Sequence, residues 1–198
     1  MTPSTGRRRA LLALFAAGAP AWVAAQQVPA PTLTTPVALA GLPTEVRQAL
    51  PGARLAGQAR LQVWGFQIYD ARLWTAPGFK AAAFGSQPLA LELLYLRDFD
   101  AVSIAERSVK EMRRSATISA DQERAWLAEM QRVFPDVKKG DRLLGVLRPG
   151  AAAVFWLNGQ PRGEIRDAEF ARLFFGIWLS LKTSEPAMRE ALLAGADS

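Results

Sequence analysis

The chain has 198 residues, 50% of them apolar and 21% charged, which is the composition of one globular domain. It has neither cysteine nor histidine, which excludes a disulfide framework, a thiol nucleophile, an imidazole base, a Cys/His zinc site, a Ser-His-Asp triad and a cysteine-anchored lipoprotein. The formal charge is +6, but Arg7, Arg8 and Arg9 supply half of it; the rest is interspersed in sign, unlike the concentrated basic stripe of a nucleic-acid-binding protein.

Those three arginines form a positive n-region, residues 10–24 an apolar h-region, and Val23-Ala24-Ala25 a small-residue cleavage site before Gln26. The apolar run of about 15 residues falls short of the roughly 20 that span a bilayer, and Pro20 interrupts it. Residues 1–25 are therefore expected to be a signal peptide, and the mature protein to be periplasmic or secreted, with no transmembrane segment. The adjacent arginines before Ala-Leu-Leu make an incomplete twin-arginine motif, so both export routes stay open. Residues 26–43, with Pro29, Pro31, Pro36 and Pro43, read as an extended lead-in to a single domain over 44–195.

Residues 44–50 read as a short helix with Thr44 near its cap, stopped by Pro51-Gly52. Two strands follow around Gly65, over 54–64 and 66–75. In the second, alternation puts Gln67, Tyr69, Ala71 and Leu73 on one face and Ile68, Asp70, Arg72 and Trp74 on the other. Residues 76–88, punctuated by Pro77, Gly78, Gly85 and Pro88, read as a loop, and 89–97 as a strand. A helix over about 101–115 carries Ile104, Ala105, Ser108, Val109 and Met112 inward, with Glu106, Arg107, Lys110 and Glu111 mostly on the wet side. Ser119-x-x-Gln122 is a capping box for a second helix to about Phe134. Three short strands follow over 141–147, 153–157 and 160–165, the last two joined by the hairpin dipeptide Asn158-Gly159. Asp167 caps a helix over 168–178, and Ser184-Glu185-Pro186 opens a last one over 185–193. Helices in blocks with short connections predict an α+β fold: a mostly antiparallel sheet with helices packed over one face, an open-faced sandwich whose ligand pocket lies between the layers.

No catalytic set, metal site or cofactor motif emerges. Asn158-Gly159-Gln160-Pro161-Arg162-Gly163 links two strands and lacks the helix N-terminus of a phosphate loop. Asp98, Asp100, Asp167 and Glu169 stand at helix starts, where carboxylates cap free N–H groups. Asp136 and Asp141 flank a turn that offers too few oxygens for a hard cation. The pair of interest is Arg60 and Tyr69, on adjoining strands of the first hairpin. It has two readings: a cation and a phenol converging on an anionic ligand, or an exposed arginine beside a core tyrosine.

Residues 65–74, Gly-Phe-Gln-Ile-Tyr-Asp-Ala-Arg-Leu-Trp, resemble a characteristic strand of the chalcone isomerase-like superfamily. The runs FPDVKKGDRLLG at 134–145 and NGQPRGEIRDAEFARLFFGIWLSLKTSEPAMREALL at 158–193 look like its exported bacterial branch. The resemblance implies the open-faced sandwich. It also implies one of two activities: chalcone cyclisation, or fatty-acid binding without catalysis. Carried over, the family's arginine matches Arg60, and the threonine position falls at Tyr69, as in the fatty-acid-binding branch. The enzyme's asparagine, tyrosine and terminal hydroxyl positions fall near Arg107, Asp100 and Met188, so the isomerase set is not kept. The expected function is non-catalytic binding of a small hydrophobic or amphipathic ligand, with a fatty-acid-like carboxylate as one candidate. An isomerase or lyase, and an interaction protein with a packed core, are the alternatives. Oligomeric state is not legible. Edman sequencing of the exported protein is expected to start at Gln26; an intact Met1 on membrane-bound protein contradicts the export reading.

Overall fold

The computed structural model describes residues 41–196; the expected signal peptide 1–25 and the expected lead-in up to residue 40 lie outside the described residues. The elements run α1 (Thr44–Ala49), β1 (Arg54–Val63), β2 (Phe66–Thr75), a 3-10 helix (Ala81–Ser86), β3 (Leu89–Tyr95), α2 (Ala101–Met112), α3 (Ala120–Val133), β4 (Arg142–Arg148), β5 (Ala152–Leu157), β6 (Gln160–Ile165), α4 (Ala168–Leu179) and α5 (Pro186–Leu192). Among the described residues six strands form one sheet in the order β1-β2-β3-β4-β5-β6, each antiparallel to its neighbour. This is the expected α+β open-faced sandwich.

Local chemistry explains most boundaries. Asp100 accepts from the Ser103 N–H and starts α2; Ser119 and Gln122 close a reciprocal capping box on α3; Asp167 accepts from the N–H groups of Glu169 and Phe170 at α4. Two expectations need correction. Pro43, not Thr44, stands at the cap position of α1, and no side chain caps it. The expected loop 76–88 contains the 3-10 helix, because Gln87 closes it: its Nε2 donates to Lys80 O (2.8 Å) and Ala83 O (3.0 Å), and its Oε1 accepts from Lys80 N (2.9 Å).

The sheet has two unlike faces. On one, Leu73, Leu91, Leu93, Leu143, Leu147 and Phe155 pack with residues of α2–α5 such as Val109, Met130, Phe174 and Leu192. On the other, α1 lays Val46 and Leu50 against Trp74, Ala90, Leu144 and Val146. So α2–α5 share one face, and α1 covers part of the far one. At the end of the near face, α5 meets β1 at Gly57, where a Cβ would stand 2.1 Å from Ala191 O and 2.5 Å from Leu192 O. Ala56 O accepts from Gly195 N at 2.7 Å just beyond the helix.

The far face also buries charge. Register sets Arg60 opposite Asp70 and Arg72 opposite Glu92. Arg60 Nε and Nη2 donate to Asp70 Oδ1 and Oδ2 at 2.5 and 2.7 Å, a bidentate fork that raises the guanidinium's affinity for its proton. Arg72 Nη2 donates to Glu92 Oε1 at 2.7 Å, and Arg142 Nη2 to Glu45 Oε1 at 2.6 Å. Asp70 and Glu92 are each 1% exposed, so each depends on its partner. Arg60→Ala is expected to lower stability in urea denaturation by about 3–5 kcal/mol, and Arg60→Ala with Asp70→Ala to recover part of that loss. A single variant as stable as wild type would refute this account of the far face.

Candidate functional site

The near face is not packed throughout. Between β1–β3 and helices α2, α4 and α5 lies a cavity of about 370 Å³. The sheet contributes Leu61, Val63, Ile68, Tyr69, Leu93, Tyr95 and Leu143; helix α4 gives Phe174, Ile177 and Trp178, and Met188 comes from α5. Phe174 forms the boundary with the solid core, its ring 5.3–5.8 Å from several others, among them Phe155 at 5.3 Å and Trp178 at 5.5 Å.

Helix α2 brings Ser103, Ile104, Arg107, Ser108 and Glu111 to the cavity, a stripe at helical spacing. The loop before α5 adds Thr183, Ser184 and Glu185. The walls are mostly apolar, and among the polar groups Tyr69, Arg107, Glu111 and Glu185 stand near enough to act on one another. There Trp178 Nε1 donates to the Tyr69 hydroxyl at 3.0 Å, so that oxygen is an acceptor and its own proton is left to be donated. Burial holds the Tyr69 phenol far above its usual range, more than the Trp178 bond lowers it, so the group is neutral at ordinary pH. Tyr95 packs edge-on against Tyr69, with centroids 6.0 Å apart, and burial raises its phenol too. The hydroxyls of Ser108 and Thr183 donate to the carbonyls of Ile104 (2.8 Å) and Ile177 (2.7 Å), so their protons are engaged.

The charged members are Arg107, Glu111 and Glu185. Arg107 Nη2 lies 2.8 Å from Glu111 Oε1. The second Glu111 oxygen is buried without a hydrogen-bond partner among the described residues, 3.8 Å from Arg114 Nε. Burial raises the Glu185 carboxyl above its ordinary value, the charge of Glu111 adds to this, and Arg107 partly offsets it.

The sequence-predicted pair is thus separated. Tyr69 lines the cavity. Arg60 does not converge with it: its guanidinium forks onto Asp70 and reaches Gln67 Oε1 at 3.3 Å, and the irregularity at Leu61/Gln62 breaks the expected alternation, so that Gln67 joins Arg60 while Ile68 joins Tyr69 at the cavity. The expectation that Arg60 and Tyr69 meet at one pocket end is corrected on this point; the cation at the cavity is Arg107. Charge points Arg107 and Glu111 to the wet face of their helix, whereas their i, i+3 spacing from Ile104 and Ser108 is the signal that places them at the cavity. Of the other positions carried over, Met188 lines the cavity, whereas Asp100 is spent on the cap of α2, accepting from the N–H and hydroxyl of Ser103 at 2.7 Å each. Among the described residues no group of three or more Asp, Glu, His or Cys is placed to hold a metal ion.

The family model described as chalcone isomerase-like matches residues 40–194. An uncharacterized protein of Haemophilus influenzae is 29% identical over 136 residues, which are 68% of this chain and 65% of that one. The match therefore spans less than two thirds of that relative. Among solved structures, a fatty-acid binding protein of Arabidopsis thaliana superposes with a TM-score of 0.57 at 11% identity, covering 72% of this chain and 87% of that one. At that identity the likeness is one of fold.

Glu185 gives the fold a pH dependence. A carboxyl whose folded pKa is raised stabilises the fold below its unfolded pKa and loses that contribution as pH rises through the folded value. Glu185→Gln keeps the shape of the protonated form. The variant is expected to melt higher than wild type at pH 7, with the difference closing as pH falls below the ordinary carboxylate range. A variant that melts lower at pH 7 would show that Arg107 outweighs burial there.

Proposed function

The chain belongs to the chalcone isomerase-like family, and from that premise we propose that it binds, without catalysis, a small amphipathic, fatty-acid-like molecule in the cavity between sheet and helices. The observation that carries this reading is the cavity itself: about 370 Å³, walled by Leu93, Phe99, Ile104, Phe134, Leu143 and Ile177, with Tyr69 and Arg107 among its few polar members. That volume lies within the roughly 300–1,000 Å³ of small-molecule sites, which are likewise apolar with a few placed polar groups. A packed-core interaction protein has no use for such a void, because each unfilled volume lowers stability.

In this reading the tail lies among the apolar walls and the head meets Tyr69 and Arg107. The Tyr69 hydroxyl donates to a head-group oxygen, and Arg107 adds a charge-assisted bond. The name of the Arabidopsis protein adds support for the ligand class. Cyclisation chemistry finds less support, since Arg107 and Met188 stand where the resemblance places the enzyme's asparagine and terminal hydroxyl. The reading includes export, so that the ligand is met outside the cytoplasm.

Two carboxylates beside one guanidinium leave the cavity with an excess of negative charge. A carboxylate ligand is therefore expected to bind more tightly as pH falls, as Glu185 takes up its proton. Titration of the purified chain with a fluorescent fatty acid is expected to show saturable binding. Arg107→Ala should weaken it about tenfold or more, and Tyr69→Phe less, since hydrogen bonds to charged groups contribute about 1.5–3 kcal/mol and neutral ones about 1. Absence of saturable binding, together with no lipid in the organic extract of the purified protein, would remove the proposal.

A further inference from the structure

The β1–β2 hairpin turns through two residues, Trp64 and Gly65, at φ +49° and +81°. The β5–β6 hairpin makes the same kind of turn with Asn158 and Gly159, at φ +51° and +83°. The chain thus contains its own control. Turns with two positive φ angles favour Asn, Asp or Gly at the first position, where a bulky side chain is strained. Asn158 meets that demand; Trp64 does not. Nor is Trp64 there for packing, since it is 94% exposed. The residue is unfavourable for the turn and unused by the core, and such a mismatch marks a position set by function.

Its neighbours continue the pattern. Phe66 is 56% exposed and pairs in register with Val63, which puts the two on the same face of the hairpin. Val63 and Ile68 are half-buried and line the cavity. An apolar track thus runs from the exposed tip into the cavity. Arg97 stacks its guanidinium over the Phe66 ring, 4.6 Å from the centroid. The adjacent Asp98 is occupied, accepting from the Lys139 N–H at 2.8 Å and pairing with Lys138 Nζ at 3.2 Å.

We propose that this hairpin tip docks on a phospholipid bilayer, with Trp64 and Phe66 inserted at the interface and the cavity opening beside it. An indole, apolar with one polar edge, suits the headgroup level, and Arg97 stands where phosphates would meet it. A convex turn with two or three apolar side chains is too small for the roughly 800 Å² per partner of a stable protein interface, whereas a bilayer accepts a single wedge. Among the described residues no helix is long and apolar enough to cross a membrane, so the contact is peripheral. Passage of an amphiphile from bilayer to cavity rests on the proposed binding function; the docking itself does not.

The test is co-sedimentation of the purified chain with phosphatidylcholine vesicles, for wild type, Trp64→Asn and Phe66→Ser. Wild type is expected to partition onto vesicles, and Trp64→Asn to do so about tenfold more weakly or worse. Trp64→Asn should melt at the same temperature or higher, because it installs the residue used in the other turn. Fluorescent fatty-acid binding in vesicle-free solution should be unchanged in that variant; its absence in wild type would strike the cavity reading and leave the docking result standing. The proposal is overturned by wild type that ignores vesicles, by Trp64→Asn that partitions as wild type does, or by Trp64-dependent self-association without vesicle binding.

Discussion

One register decides which side chains meet the cavity. Arg60 opposes Asp70 and Leu61 opposes Tyr69, and everything on the first hairpin follows from that parity. A slip of β1 by one residue against β2 would turn Arg60 into the apolar layer and Leu61 out of it. The buried fork between Arg60 and Asp70 resists such a slip, because a slipped strand would leave a carboxylate without its guanidinium in a place with little water. The same holds one step along, where Arg72 meets Glu92 and the Trp74 indole N–H reaches the second Glu92 oxygen at 3.4 Å. The charged residues of the far face therefore serve the near face: they hold the strands in the one alignment that presents Leu61, Tyr69, Leu93 and Tyr95 together.

The cavity is a consequence of how unevenly the near face is filled. Toward β5, Phe134, Phe155, Phe170, Phe174 and Phe175 interlock in edge-to-face and stacked contacts and keep α4 at ring distance from the sheet. Gly145 accommodates this, since a Cβ there would come within 3.2 Å of both Phe155 and Phe175. Toward β1 the near face presents Leu61, Val63, Ile68 and Tyr69, and the cavity lies over them. Phe174 belongs to both the aromatic cluster and the cavity wall, so it divides the filled part of the face from the open one.

Much of the fold was legible because its signals are local. Asn158-Gly159, the Ser119/Gln122 box and the caps Asp100 and Asp167 each act within a few residues, and each stands where the pattern placed it. The site was less legible because it is assembled across the chain. The bond from Trp178 to Tyr69 joins residues 109 positions apart. Arg107 and Glu111 look like ordinary surface charges until α2 is laid against the open end of the sheet. The pairing of Arg60 with Asp70 was within reach: alternation had already turned Asp70 away from Tyr69. The missing step was the parity of β1, which the irregularity between Leu61 and Gln62 obscures.

The contact between α5 and β1 reaches further than its position suggests. Gly57 lies outside the cavity lining, yet the absence of its side chain is what lets the helix backbone settle on the strand. That helix carries Met188, and Glu185 stands at its start; both face the cavity. Any larger residue at 57 would lift the helix and widen the chamber at its far wall. Chamber width therefore answers to the bulk of one residue that the chamber never touches.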